Sequence, residues 1–163
     1  MSNSSSSSFV VAFPENVKTT EEVKKYLFGD LEHVEYYDYG TSTLEAAKCI
    51  ADDMKGQRGG KKRIQDALRG GYQHGAPDFE NFRIPDPSNP QKRKWDLEID
   101  WKAYEKATKA FEKELYENFM KQVPEGYKVY TFHYSDNDGA FFCTMEHGDV
   151  FDAAAVHLRI SHH

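Results

Sequence analysis

Apolar positions along this chain form short runs and one-sided stripes that predict strands and helices in turn. Phe9-Val10-Val11-Ala12-Phe13 is an unbroken apolar run stopped by Pro14, the pattern of a buried strand. Thr19 and Glu22 have capping-box spacing, in which hydroxyl and carboxylate each satisfy an orphan backbone N–H. Val23, Tyr26, Leu27 and Leu31 follow on one helical face, with Gly29 as the break. His33 to Tyr39 alternates loosely and carries three tyrosines, so it reads as a second strand. Ser42 and Glu45 open another helix, with Leu44, Ala47, Ile50, Ala51 and Met54 on one side and Gly56 at its end. Lys61 to Arg69 predicts a short helix that turns Ile64, Ala67 and Leu68 inward and stops at Gly70.

Between Gly71 and Lys94 the periodicity fails. Pro77, Pro85, Pro87 and Pro90 fall there beside Tyr72, Phe79 and Phe82, so a long loop pinned by its rings is expected. The clearest element follows. Asp100 caps a helix whose inner stripe is Trp101, Tyr104, Thr108, Phe111, Leu115 and Phe119, and Pro124-Glu125-Gly126 ends it. The remainder reads as β. Val129 to Ser135 alternates, Asp138-Gly139 is a hairpin signal, Ala140 to His147 returns, and Ala155 to Ser161 forms a third strand. In that strand Val156, Leu158 and Ile160 face one way, and His157, Arg159 and Ser161 the other.

The elements add up to an α+β fold: a single domain over 9–163 after a flexible serine tail at 1–8. Its expected sheet has about five strands, mixed or antiparallel, from an N-terminal β-α-β unit and a C-terminal three-strand meander, with the helices on one face.

Composition narrows the class. The 163 residues are 39% hydrophobic and 14% aromatic, too rich in core formers for a disordered chain. No run of 18 apolar residues is present, and residues before Lys18 lack the basic start of a secretory signal. Two cysteines, Cys49 and Cys143, make no disulfide scaffold, and both are expected to be inert core thiols. A cytoplasmic location is the expectation.

The net charge of -6 conceals a reversal. Residues 55–94 hold 10 basic and 4 acidic side chains, whereas the flanking regions are both strongly acidic. Within this basic island lie Lys55, Arg58, Lys61, Lys62, Arg63, Arg69, Tyr72, Lys92, Arg93 and Lys94. Its two Arg-Gly-Gly triplets, near a tyrosine, resemble in composition the RNA-binding segments where arginine and aromatic rings stack on bases. A P-loop is excluded, because Gly56 to Lys61 is one residue short and no Ser or Thr follows the lysine.

Of the seven histidines, five lie from residue 133 onward. His133, Ser135, His157 and Arg159 would assemble two imidazoles, a hydroxyl and a guanidinium if the first and third C-terminal strands were adjacent. That set suits acid–base work on a phosphodiester. No histidine spacing fits an ordinary zinc site, so neither a metal nor a cofactor is expected. Glu146, Asp149 and Asp152 near His147 read as solvated loop charge.

The leading expectation is a small non-enzymatic interaction protein, accessory or inhibitor-like, that docks an anionic partner through residues 55–94. The partner class spans nucleic acid, a nucleotide-like ligand and an acidic protein face. A small phosphodiesterase-like hydrolase is the alternative. Self-association through an exposed edge at Val34–Tyr39 is a third possibility.

Overall fold

A computed structural model describes residues 5–58, 60–69 and 73–162. The order is β1 (Ser6–Pro14), α1 (Thr20–Phe28), β2 (His33–Tyr36), β3 (Tyr39–Ser42), α2 (Thr43–Lys55), α3 (Lys61–Ala67), α4 (Trp101–Gln122), β4 (Tyr127–Ser135), α5 (Ala140–His147) and β5 (His157–Ser161). Short 3-10 turns occupy Phe79–Phe82, Lys94–Asp96 and Asp136–Asp138.

The strands form two antiparallel sheets rather than one. β1 is the centre of a three-stranded sheet ordered β4-β1-β5, in which Phe9 opposes Phe132 on one side and Arg159 on the other. β2 and β3 make a separate hairpin in which Tyr36 opposes Tyr39. The tyrosine-rich stretch is therefore a strand, a turn with Tyr37 at φ 51°, and the first residue of the next strand. The expected return strand of the meander is absent. After Asp138 the chain turns through Gly139, at φ 105°, into α5, so β5 reaches the sheet beside β1 and not beside β4.

Both faces of the large sheet are covered, which corrects the one-sided layering expected from sequence. Phe9, Val11 and Phe13 share a face with Tyr130, Phe132 and Tyr134 and pack under α1, α2 and α5. Val10 and Ala12 point the other way, with Val129 and Ile160, against Ile64 and Leu68 beside α3 and Phe119 of α4. A strand buried on both faces needs no alternation, hence the unbroken apolar run in β1.

Residues 1–4 of the expected serine tail lie outside the described residues, and from Ser5 onward the run is not a tail. β1 begins at Ser6, and Ser5, Ser7 and Ser8 are buried, because their hydroxyls find side-chain partners on neighbouring elements. The capping predictions hold where they are local. Thr19 accepts from the Glu22 N–H while Glu22 reaches back to the Thr19 N–H. Ser42 accepts from the Glu45 N–H, but Glu45 turns to the Thr41 and Ser42 hydroxyls instead of closing a full box.

The stripe on α4 is half-buried, and only Phe119 is fully inside. At about 1.5 Å per residue the helix is about 33 Å long. Only its C-terminal half, with Leu115, Phe119 and Met120, packs on the sheet. The N-terminal half carries the connecting segment, whose Phe82 meets Tyr104 edge-on and whose Phe79 stacks on Trp101. Arg83 holds that segment together through Glu80 and the Leu97 carbonyl. The loop is thus pinned by its rings as expected, yet no side chain between 73 and 118 is fully buried.

Candidate functional surface

The basic island separates into two kinds of residue. Lys55 pairs with Asp52, Arg69 with Asp66 and Glu112, Lys92 with Asp86, Arg93 with Asp96, and Lys94 with Glu80. These charges are neutralised by their own surroundings. Arg58, Lys61, Lys62 and Arg63 are all exposed, and none has a carboxylate within 4.0 Å among the described residues. Lys61 lies over the Tyr116 ring at 5.3 Å, and Arg63 Nε donates to Thr131 Oγ1 at 2.9 Å. Tyr72 lies outside the described residues.

What positions these four cations is a residue that the charge pattern passes over. Gln57 is buried between α2 and α3, and its side-chain amide faces the outer edge of β4. Gln57 Nε2 donates to the Thr131 carbonyl at 2.6 Å, and the Thr131 N–H donates to Gln57 Oε1 at 2.9 Å. A single side chain thereby makes the pair of bonds that a neighbouring strand would make. Lys128 adds a donor to the Gln57 carbonyl at 3.4 Å. The clamp fixes the α2–α3 turn against the sheet, so Arg58 and the start of α3 are held beside β4. Nothing in a lone glutamine at a helix end signals this role, which depends on the distant strand it meets.

No family model, curated protein or solved structure matches this chain. The surface must therefore be read from its own chemistry.

The catalytic set expected from the C-terminal third is not assembled. β4 and β5 flank β1 on opposite sides, and the register decides the faces. His133 opposes Ser8 and Ser135 opposes Ser6, whereas Arg159 opposes Phe9 and His157 opposes Val11. Ser6 and Ser8 lie on one face, and Phe9 and Val11 on the other. His133 and Ser135 are thus separated by the sheet from His157 and Arg159, so the four cannot act on one bond.

Each half finds other partners. On the face of His133, Ser8 Oγ lies 3.2 Å from His133 Nδ1 and 2.9 Å from His162 Nε2. The hydroxyl can donate to one ring and accept from the other. Thr131, bonded to Arg63, lies two residues before His133 on this face. Imidazole N–H groups and the α3 cations therefore share one polar stretch of the sheet.

On the opposite face, Arg159 Nε donates to Ser7 Oγ at 3.1 Å, and Arg159 Nη2 lies 3.2 Å from His147 Nδ1. His157 Nδ1 turns to the Ala154 carbonyl. A guanidinium can only donate, so His147 Nδ1 accepts and its ring proton sits on Nε2, towards Ser5. That tautomer cannot take a proton from the Ser5 hydroxyl, and the pair is not a nucleophile with its base. Glu146, expected to be solvated loop charge, is fully buried in α5.

The thiols are quiet. Burial, with Asp53 nearby, pushes Cys49 up to about 11, and burial also raises Cys143. Thiolate is the reactive form, so neither cysteine is poised for attack at neutral pH. No helix among the described residues is long and apolar enough to cross a membrane.

Proposed function

We propose that this chain is a non-enzymatic accessory protein that docks an anionic macromolecular partner on the surface formed by Arg58, Lys61, Lys62 and Arg63. The observation that carries the reading is the contrast within the basic island. Six of its cations, Arg83 among them, are satisfied by local carboxylates, whereas these four cluster at one turn with no acidic partner among the described residues. Solvated lysines and arginines occur on every protein surface. A set held by a buried clamp, within an otherwise acidic chain, is a localised positive field of the kind that selects and orients a polyanion. Tyr116 beneath Lys61 and the imidazoles along the same face add stacking and hydrogen-bonding groups suited to phosphate and base.

Charge reversal tests the reading. The variant carrying Arg58→Glu, Lys61→Glu, Lys62→Glu and Arg63→Glu is compared with the parent chain by fluorescence anisotropy, using a labelled single-stranded RNA and a labelled polyglutamate. The parent is expected to bind a polyanion with an affinity that falls as salt rises. For RNA, four phosphate contacts give a log–log slope of about −3. The reversed variant loses the binding. Equal affinity in the two proteins, or a flat salt dependence, defeats the proposal, and preference between the two probes identifies the partner class.

A further inference from the structure

A second site lies on the other face of the sheet, at the opening of β1, and owes nothing to the basic surface. Asp136, Glu146 and His147 each place a ligand atom within 4.8 Å of the other two. Ser5 Oγ joins them, 3.0 Å from Asp136 Oδ2, 3.0 Å from Glu146 Oε1 and 3.0 Å from His147 Nε2. We propose that these four side chains form a binding site for a divalent transition cation, with Zn2+ the best match.

Three features separate this cluster from ordinary surface acidity. The first is burial without a counter-charge. The Glu146 side chain is wholly inaccessible: its Oε1 accepts from the Ser5 and Ser7 hydroxyls, and neither carboxylate meets a lysine or arginine among the described residues. A carboxylate taken out of water demands compensation, and a cation is the strongest form of it.

The second is orientation. One oxygen of each carboxylate is held by a backbone N–H: Ser5 N–H donates to Asp136 Oδ1 at 3.0 Å, and Asp136 N–H donates to Glu146 Oε2 at 3.0 Å. The other oxygen of each is thereby aimed at Ser5 Oγ. Tyr36 stacks on the imidazole at 4.6 Å and fixes the plane of its ring. Outer contacts of this kind are what orient metal ligands.

The third is a shortage of protons. Ser5 Oγ has one hydrogen and two carboxylate oxygens at equal distance, so one close oxygen–oxygen contact has no proton to share. A cation among these donors removes that conflict. Two carboxylates, an imidazole and a hydroxyl form a mixed oxygen and nitrogen set. The imidazole favours zinc over magnesium or calcium, which take oxygen alone.

Arg159 acts as the competitor. While its Nη2 donates to His147 Nδ1, the ring proton occupies Nε2 and blocks that ligand atom. Binding at Nε2 transfers the ring proton to Nδ1, through solvent, and requires the guanidinium to leave. Arg159 is exposed and keeps its second anchor on Ser7, so the displacement is local. Removing it should therefore strengthen binding, an effect no loosely attached surface ion would show.

The test is calorimetric titration of the full chain with Zn2+, with Co2+ as a visible-absorption stand-in. The parent is expected to take one Zn2+ in this site and to give the intense bands of four-coordinate Co2+. Asp136→Asn and Glu146→Gln should each weaken binding by about tenfold or more and bleach the Co2+ spectrum. Arg159→Ala should tighten it several-fold. The double variant His133→Ala with His162→Ala, which removes the imidazoles on Ser8, should bind as the parent does. If Glu146→Gln does not fold by circular dichroism, Asp136→Asn and Ser5→Ala carry the same comparison. Unchanged affinity in the carboxylate variants, loss in the histidine pair, or no stoichiometric uptake by the parent overturns the assignment, and weaker binding in Arg159→Ala overturns the competition.

Discussion

Replacing Gln57 by methionine probes how the basic surface is held. The side chain keeps its length and its place in the buried turn but loses both bonds to Thr131, at 2.6 and 2.9 Å. Two net hydrogen bonds are worth about 1 kcal/mol each, and leaving the Thr131 N–H and carbonyl without partners raises the cost to about 2–4 kcal/mol. Thr131 is only half-buried, so water recovers part of the loss and the lower end of that range is expected. For a chain of this size each kcal/mol lowers Tm by about 2–4 °C, giving a fall of roughly 4–8 °C. Gln57→Glu sharpens the test. Its carboxylate still accepts from the Thr131 N–H but faces the Thr131 carbonyl with a second acceptor, so it should be at least as destabilising at neutral pH. Urea unfolding followed by circular dichroism, with anisotropy against the same polyanions, reads stability and docking together. A change below about 0.5 kcal/mol in the methionine variant, the size of an inconsequential surface substitution, would refute the clamp.

Two further outcomes follow from the same structure. The backbone N–H of Thr19, and then that of Lys18, each at 2.9 Å, hold the Glu22 carboxyl below its ordinary value. The stability this confers is present above the unfolded value of about 4.3 and is lost as pH falls through the lower folded value. Glu22→Gln should flatten that part of the pH–stability profile, and parallel profiles for the two proteins would contradict the box. Cys49, pushed up to about 11 by burial first and Asp53 second, should resist a thiol reagent at pH 8 in the native state and react promptly once unfolded. Fast stoichiometric labelling of the native chain, assigned to Cys49 by peptide mapping, would count against its burial.

What was legible in the sequence is what neighbouring residues decide among themselves. The Thr19 cap, the Ser42 N-cap, the Asp100 cap and the helices that follow depend on contacts three or four residues apart, and they stand as expected. The apolar run of β1 also declared itself. Ala140 to His147 did not, since Phe141, Phe142, Cys143 and Thr144 suit a strand, and Asp138-Gly139 suits a hairpin. There the packing of Met145 into the core and the closing of Glu146 onto Ser5 and Ser7 favour a helix. Those partners are remote in sequence. The same reason hides the serines of β1, whose poor strand propensity is outweighed by the distant histidines and Glu146 that their hydroxyls meet. The stripe of α4 overstated its burial because a three-stranded sheet supports only half of so long a helix. The four cations of the basic surface were visible as charge, but which members of the island would pair with local carboxylates was not. The metal-ligating cluster needed the sheet order itself.

The central place of β1 constrains how the chain comes together. Pro14 pairs with Tyr127 and Ser7 with Ser161, so β1 is synthesised before either neighbour and waits until the long segments that separate it from β4 and β5 have been made. Closing such long loops precedes any reward from the contacts, and folding governed by them is slow. During translation the apolar run Phe9–Phe13 stands without a sheet, with both of its edges open. An extended, unpaired segment of that composition is a natural ligand for a holding chaperone on the ribosome, and a point from which nascent copies can aggregate.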